Sequence, residues 1–142
     1  MLSPSLEDYL EETYRLQLRY PSVRVSDIAA CLNVSLPSVV KALKRLEQEG
    51  YIYYRHYSGI QLTPMGRKKG AFLVERNRII RDFLNSLDCS CDVSAEAEAM
   101  EHYLSDSTVH IMRNVVDFMH LHPDIQKKFH AFCKQRNIKT NI

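Results

Sequence analysis

Val25-Ser26-Asp27-Ile28-Ala29-Ala30-Cys31-Leu32-Asn33-Val34-Ser35-Leu36-Pro37-Ser38 decides the fold. Ser26 suits the cap of a short helix ending near Leu32. Asn33 tolerates a left-handed backbone and so suits a tight turn. Ser35 then caps a second helix, Leu36 to Glu49, with Pro37 in its first turn and Gly50 closing it. Val39, Leu43 and Leu46 recur at i, i+4, i+7 and face inward, which leaves Ser38, Lys41, Lys44 and Arg45 outward. Two short helices joined by a tight turn are the frame of a helix-turn-helix.

Downstream the period changes from helix to strand. Tyr51-Ile52-Tyr53-Tyr54-Arg55 is rich in β-formers, His56-Tyr57-Ser58-Gly59 reads as a turn, and Ile60-Gln61-Leu62 as the return strand. The pattern is mainly α: an N-terminal winged helix-turn-helix with a small β-hairpin wing, followed by an all-helical half. Upstream, Ser3 and Pro4 open a helix to Arg19 with Leu6, Leu10 and Tyr14 on one face and Asp8, Glu11, Glu12 and Arg15 on another. After the hairpin, Thr63 caps a long helix from Pro64 to Leu87 with Phe72, Ile79, Ile80, Phe83, Leu84 and Leu87 as its apolar positions. Asp88-Cys89-Ser90-Cys91-Asp92 breaks it. Three further helices are expected: Ala95 to Leu104 capped by Ser94, Ser107 to His120, and one starting at Pro123. The domain boundary is expected at Thr63, giving a winged helix-turn-helix domain over 1–63 and an all-helical domain over 64–142.

Composition sets the class. The 142 residues are 45% hydrophobic and 25% charged with only 4 Gly and 5 Pro, as in a globular protein without long linkers. No apolar run approaches the roughly 18 residues of a membrane span, and the acidic start, Met1 to Asp8, has no signal-peptide core. A cytoplasmic location with no membrane partner is expected, with Cys31, Cys89, Cys91 and Cys133 as free thiols. The net charge of +2 is too small to imply nucleic acid, but its distribution is uneven. Lys41, Lys44, Arg45, Arg55, Arg67, Lys68 and Lys69 crowd one segment against Glu47 and Glu49.

That segment reads as a double-stranded DNA surface. The second helix of the pair fits a major groove, with Ser35, Pro37, Ser38 and Lys41 near the end that reaches base edges. Lys44 and Arg45 suit phosphates, and Arg55, His56 and Tyr57 at the wing suit the backbone or minor groove.

Glu98, Glu101 and His102 stand at i, i+3, i+4 and share one helix face, and Asp8 and Glu11 make a second acidic pair at i, i+3. Two such groups can chelate a divalent cation. On spacing alone the same strings also fit solvated, glutamate-rich faces, with Asp8 favoured by the helix dipole. An enzyme is not expected: there is no Gly-rich phosphate loop, no nucleophile–base pair and no sign of a small organic substrate. Cys89-x-Cys91 with His120-x-His122 does not match zinc-finger spacing. Cys31 is expected in the core. An alternative function is a winged-helix regulator that senses an oxidant or organic ligand, with Cys89 and Cys91 as the sensor.

Ser5-Leu6-Glu7-Asp8-Tyr9-Leu10-Glu11, Val25-Ser26-Asp27-Ile28-Ala29, Pro37-Ser38-Val39-Val40-Lys41, Leu62-Thr63-Pro64-Met65-Gly66 and Glu98-Ala99-Met100-Glu101-His102-Tyr103-Leu104-Ser105 together carry a resemblance over nearly the whole chain. The sequence resembles the short, manganese-responsive branch of the diphtheria-toxin-repressor family of bacterial metalloregulators. That resemblance implies a homodimeric repressor of metal-uptake genes on a palindromic operator. It also implies a metal site of Asp8, Glu11, Glu98, Glu101 and His102, for one or two ions per subunit. The iron-responsive branch usually has sulfur ligands at the positions of Asp8 and Glu98, and an extra C-terminal domain. Carboxylates at both positions favour Mn²⁺, with Fe²⁺, Co²⁺ and Zn²⁺ as other candidates. Asn77 is a departure, since the manganese branch generally has a His ligand there. Its carbonyl oxygen is a weaker candidate ligand.

Overall fold

A computed structural model describes residues 1–55 and 58–139, with side chains to Arg136. His56 and Tyr57, expected at the wing tip, lie outside the described residues.

Asn33 adopts the left-handed conformation, φ 53° and ψ 49°. It ends α2 (Val25–Leu32), and α3 (Leu36–Gln48) begins three residues later. The two axes are bent by 111°, within the roughly 90–120° range of a helix-turn-helix. Ser35 caps α3 through its hydroxyl, which accepts from Ser38 N at 3.4 Å. The cap of α2 differs from expectation. Arg24 is the N-cap, and Asp27 Oδ2 reaches back to accept from Arg24 N at 2.8 Å. Ser26 lies inside the helix, because a carboxylate at the third helical position secures the first turn better than a hydroxyl one residue in.

The wing is an antiparallel pair, β1 (Ile52–Arg55) and β2 (Gly59–Leu62), in the register Ile52↔Leu62 to Arg55↔Gly59. Ile52, Ile60 and Leu62 are buried, so the wing keeps one face on the core. Helix α1 (Pro4–Arg19) is capped by Ser3. Helix α4 (Pro64–Ser86) is capped by Thr63, whose Oγ1 accepts from Gly66 N at 2.9 Å and donates to Gly50 O at 2.7 Å. One hydroxyl therefore ties the end of α3 to the start of α4.

Chain contacts divide the structure into two compact units, Met1–Glu75 and the residues from Arg76 on, within α4. The first unit centres on Leu10, Ile28, Val39, Leu43, Leu46, Ile52 and Leu73, each at most 1% exposed. Full burial of such a side chain stabilises by about 1.5–3 kcal/mol. Two glycines of α4 allow the close packing. A Cβ at Gly66 would lie 1.8 Å from Tyr51 O, and one at Gly70 would lie 2.7 Å from Tyr14 Cβ. Phe72 and Cys31, expected inside, are both exposed. Leu73, one position on, takes the inward place on α4. Residual burial and the neighbouring Glu12 carboxylate push the Cys31 thiol upward from its ordinary pKa.

The second unit packs Ile79 and Ile80 of α4, Ala97 of α5 (Val93–Glu101), and Val109 and Met112 of α6 (Asp106–Leu121). Phe83, Leu84, Met100 and Leu104 surround them. Helix α7 (Pro123–Lys139) docks Gln126 and His130 on Ser86 O, at 2.9 and 3.1 Å. Helix α5 begins two residues earlier than expected. Asp92, not Ser94, is the cap and accepts from Ala95 N at 3.1 Å. Among the described residues no single helix is long and apolar enough to cross a membrane.

Candidate metal centre and DNA-reading surface

The expected metal residues fall in two sets. Asp8 and Glu11 lie one turn apart on α1, in the first unit. Asp8 is half-buried and Glu11 buried. Glu11 Oε1 accepts from Arg15 at both Nη2 (2.6 Å) and Nε (3.2 Å), so it already has a cationic partner. Beside them, buried Glu7 is paired with Lys69 Nζ at 3.1 Å. Arg15 shares this acidic face as the helical spacing places it, whereas Lys69 was not foreseen as its neighbour.

Asn77, Glu98, Glu101 and His102 belong to the second unit. Helix α5 ends at Glu101 and His102 is its C-cap, still in the right-handed helical region. The helical spacing therefore holds, and Glu98, Glu101 and His102 offer ligand atoms within 4.8 Å of one another. Their exposure is graded: Glu98 is exposed, His102 half-buried, and Glu101 only 1% exposed. A carboxylate that deep needs compensation. Asn77 Nδ2 donates to Glu101 Oε2 at 3.1 Å. Arg76 Nε lies 4.0 Å from the same oxygen, and Arg76 Nη2 lies 3.5 Å from His102 Nδ1. The other carboxylate oxygen, Oε1, faces His102 Nε2 at 3.9 Å. An ionised carboxylate only accepts, so the amide nitrogen of Asn77 must be the atom turned to it. Arg76 was missed. Spacing cannot separate it from Arg78, which is exposed and paired with Asp82 at 3.2 Å.

This donor set fits a hard or borderline divalent cation: carboxylate oxygens and one imidazole converge, with a fixed donor orienting one of them. No thiol joins them. Cys89 and Cys91 stand apart in the loop before α5, with Sγ atoms 2.8 Å from each other.

The other expected surface is on α3. Ser35, Pro37, Ser38, Lys41, Lys44 and Arg45 are all exposed, as is Arg55 on the wing. The Ser35 and Ser38 hydroxyls share a hydrogen bond at 2.8 Å. Arg45 pairs with Glu49 at 3.0 Å and Arg55 with Glu47 at 3.2 Å, which tempers both charges. Glu47 also accepts from Tyr54 N at 3.0 Å, so it anchors the wing to α3. Ser38, Lys41 and Arg45 border a cavity of about 370 Å³ together with Ser5, Leu6 and Tyr9 of α1. Ser5 was not anticipated, because thirty residues of chain, 6–35, separate it from α3.

Two family models match in succession: the iron dependent repressor N-terminal DNA-binding domain over residues 1–60, and its metal-binding and dimerisation domain over residues 63–130. An HTH-type transcriptional regulator named MntR from Lysinibacillus sphaericus is 37% identical over 139 residues, 97% of this chain and 100% of that one. Among solved structures, the manganese regulator SloR matches with a TM-score of 0.71 at 31% identity over 82% of this chain. The metal-dependent transcriptional regulator MtsR matches with a TM-score of 0.74 at 28% identity over 82%. The chain spans 55% of either solved chain. These matches are to DNA-binding regulators and not to enzymes, and they do not favour sensing of an oxidant or organic ligand in place of metal. The chain belongs to the iron dependent repressor family, as a metal-dependent transcriptional repressor that carries a DNA-binding domain and a metal-binding dimerisation domain.

Proposed function

We propose that the protein is a cytoplasmic, Mn²⁺-dependent repressor that binds a palindromic operator as a homodimer and controls metal-uptake genes. The observation that carries the metal reading is the convergence of Glu98, Glu101 and His102 within 4.8 Å, on oxygen and imidazole donors with no thiol. Hard oxygen donors suit Mn²⁺ over softer ions, and the relatives described as manganese regulators agree with that choice. The ligands are drawn from both sets, Asp8 and Glu11 on α1 with Glu98, Glu101 and His102 on α5. The ion supplies positive charge that offsets repulsion among these carboxylates.

Asn77 acts as a donor that orients Glu101, and each subunit holds one ion. Its Nδ2 already serves Glu101 Oε2, leaving Oε1 as the oxygen for metal. A second reading has two ions, with Asn77 contributing its carbonyl oxygen Oδ1 while Nδ2 keeps its bond to Glu101.

Residues 1–63 form the DNA-binding domain and residues 64–142 the dimerisation and metal-binding domain. Ser35, Pro37, Ser38 and Lys41 meet base edges, while Lys44, Arg45 and the wing residues Arg55, His56 and Tyr57 meet the backbone or minor groove. The partner copy covers α6, where Ile111, Phe118 and Leu121 are 60%, 46% and 77% exposed. A two-fold contact there would set two recognition helices on two half-sites.

The test is fluorescence anisotropy of a labelled duplex, selected by the Mn²⁺-loaded protein from a random pool. Metal-stripped protein is titrated with Mn²⁺, Fe²⁺, Co²⁺ and Zn²⁺ at fixed salt. A gain of about tenfold or more, roughly 1.4 kcal/mol of coupling, is expected with Mn²⁺. Equal affinity with and without every metal would overturn the reading.

A further inference from the structure

Cys89 and Cys91 lie outside the carboxylate–imidazole cluster and play no part in the function above. Both thiols are free, Cys89 exposed and Cys91 half-buried. Their sulfurs are 2.8 Å apart, against about 2.05 Å for a disulfide bond, so closure requires about 0.8 Å of movement (2.8 − 2.05). The loop holds them from both sides. Cys89 N donates to Leu84 O at 3.1 Å, after Asp88 turns the chain through the left-handed region at φ 56°. Cys91 directly precedes Asp92, the cap of α5. One serine, Ser90, separates the pair in the chain. Among the described residues no third His, Cys, Asp or Glu joins them in a metal-sized cluster, which argues against a closed zinc site.

We propose that Cys89 and Cys91 form a reversible dithiol–disulfide site that reacts with hydroperoxides. Cys89, the more exposed sulfur, attacks the terminal oxygen of the hydroperoxide. The O–O bond breaks, an alcohol leaves, and Cys89 becomes a sulfenic acid. The Cys91 sulfur attacks that sulfenic sulfur, the S–O bond breaks, and hydroxide leaves with the Cys91 proton as water. Two thiols and one hydroperoxide become one disulfide, one alcohol and one water. The sulfurs lose two electrons and the two peroxide oxygens gain them. Hydrogen bonding to Cys89 pushes the Cys91 thiol up to about 11, so its proton leaves only as its sulfur attacks, and the second step is the slower one. This chemistry acts beside the metal switch and does not depend on it.

The test uses the metal-stripped protein treated with one equivalent of tert-butyl hydroperoxide, then iodoacetamide, then mass spectrometry. The expected product is a monomer lighter by about 2 Da before alkylation, with one peptide bridging Cys89 to Cys91, restored by dithiothreitol. Cys31 and Cys133 should remain alkylatable. Cys91→Ser should instead leave a sulfenic acid at Cys89 that dimedone traps. Bridges to Cys31 or Cys133, bridges between chains, sulfinic acid at Cys89 in the unaltered protein, or no reaction would each overturn the proposal. Cys89→Ser and Cys91→Ser should keep Mn²⁺-dependent DNA binding, so failure here and failure of the metal reading are told apart.

Discussion

Asn77 gives its amide hydrogen to Glu101 Oε2 at 3.1 Å, and both side chains are buried. A donor in that position fixes the rotamer of the deepest carboxylate of the cluster and spends one of its two oxygens. Removing such an outer partner typically costs 10–100-fold in metal affinity. Asn77→Ala is therefore expected to weaken Mn²⁺ binding by about 10-fold or more, measured by calorimetry. Asn77→His adds an imidazole and should raise the count from one to two Mn²⁺ per subunit, visible as exchange coupling in the EPR spectrum. One ion in both proteins would show that residue 77 does not set the stoichiometry.

Glu101→Gln keeps the shape of the side chain and removes its charge. Metal-dependent DNA binding should fall by about two orders of magnitude in the Mn²⁺ concentration required, within the range for losing metal-site contacts. Binding at low salt without metal should persist. An unchanged Mn²⁺ midpoint would remove Glu101 from the ligand set.

Ser35→Ala deletes the α3 cap. Loss of such a cap costs about 1 kcal/mol, so the melting temperature should drop by several degrees. The contact to Ser38 N lies at 3.4 Å and is exposed, so a loss at the low end of the usual range is expected. No change in thermal unfolding would mean that the hydroxyl contributes nothing to the helix start.

Gly66→Ala places a methyl group 1.8 Å from the carbonyl oxygen of Tyr51. Backbone cannot yield as a flexible side chain can. The variant should lose about 3 kcal/mol or more, the upper end for overpacking, and circular dichroism should record a much lower unfolding midpoint. A midpoint within a degree of the unaltered protein would contradict the packing described.

Lys41→Ala and Lys44→Ala separate the two kinds of DNA contact. If Lys44 neutralises a phosphate, its removal should lower the slope of log affinity against log salt by about 1, alike on all duplexes. Lys41→Ala should reduce preference for the selected operator over random DNA more than it reduces the slope.

The helix-turn-helix was legible because its punctuation is local. Asn33 at a left-handed turn, Ser35 at a cap and Gly50 at φ 81° each act on their own backbone, and the structure places each as read. The α2 and α5 caps were misread for the same reason turned around. Ser26 and Ser94 are good caps in isolation, but Asp27 accepts from Arg24 N and Asp92 from Ala95 N, and these charged acceptors set each helix start upstream of the serine. Burial was less legible. Phe72 and Leu73 are both apolar, and only the tertiary surroundings select Leu73. At the site, helical spacing gave Glu98, Glu101 and His102, whereas Arg76 was invisible because its burial comes from packing and not from sequence period.

The paired hydroxyls of Ser35 and Ser38 carry a last consequence. That bond uses one of the two hydroxyl hydrogens, so the pair keeps a single O–H to offer a base edge, and its geometry is settled before the encounter. A base edge that calls for both hydrogens must break the shared bond. The two serines should then read an operator step as one donor, and finer discrimination should concentrate on the longer side chain of Lys41.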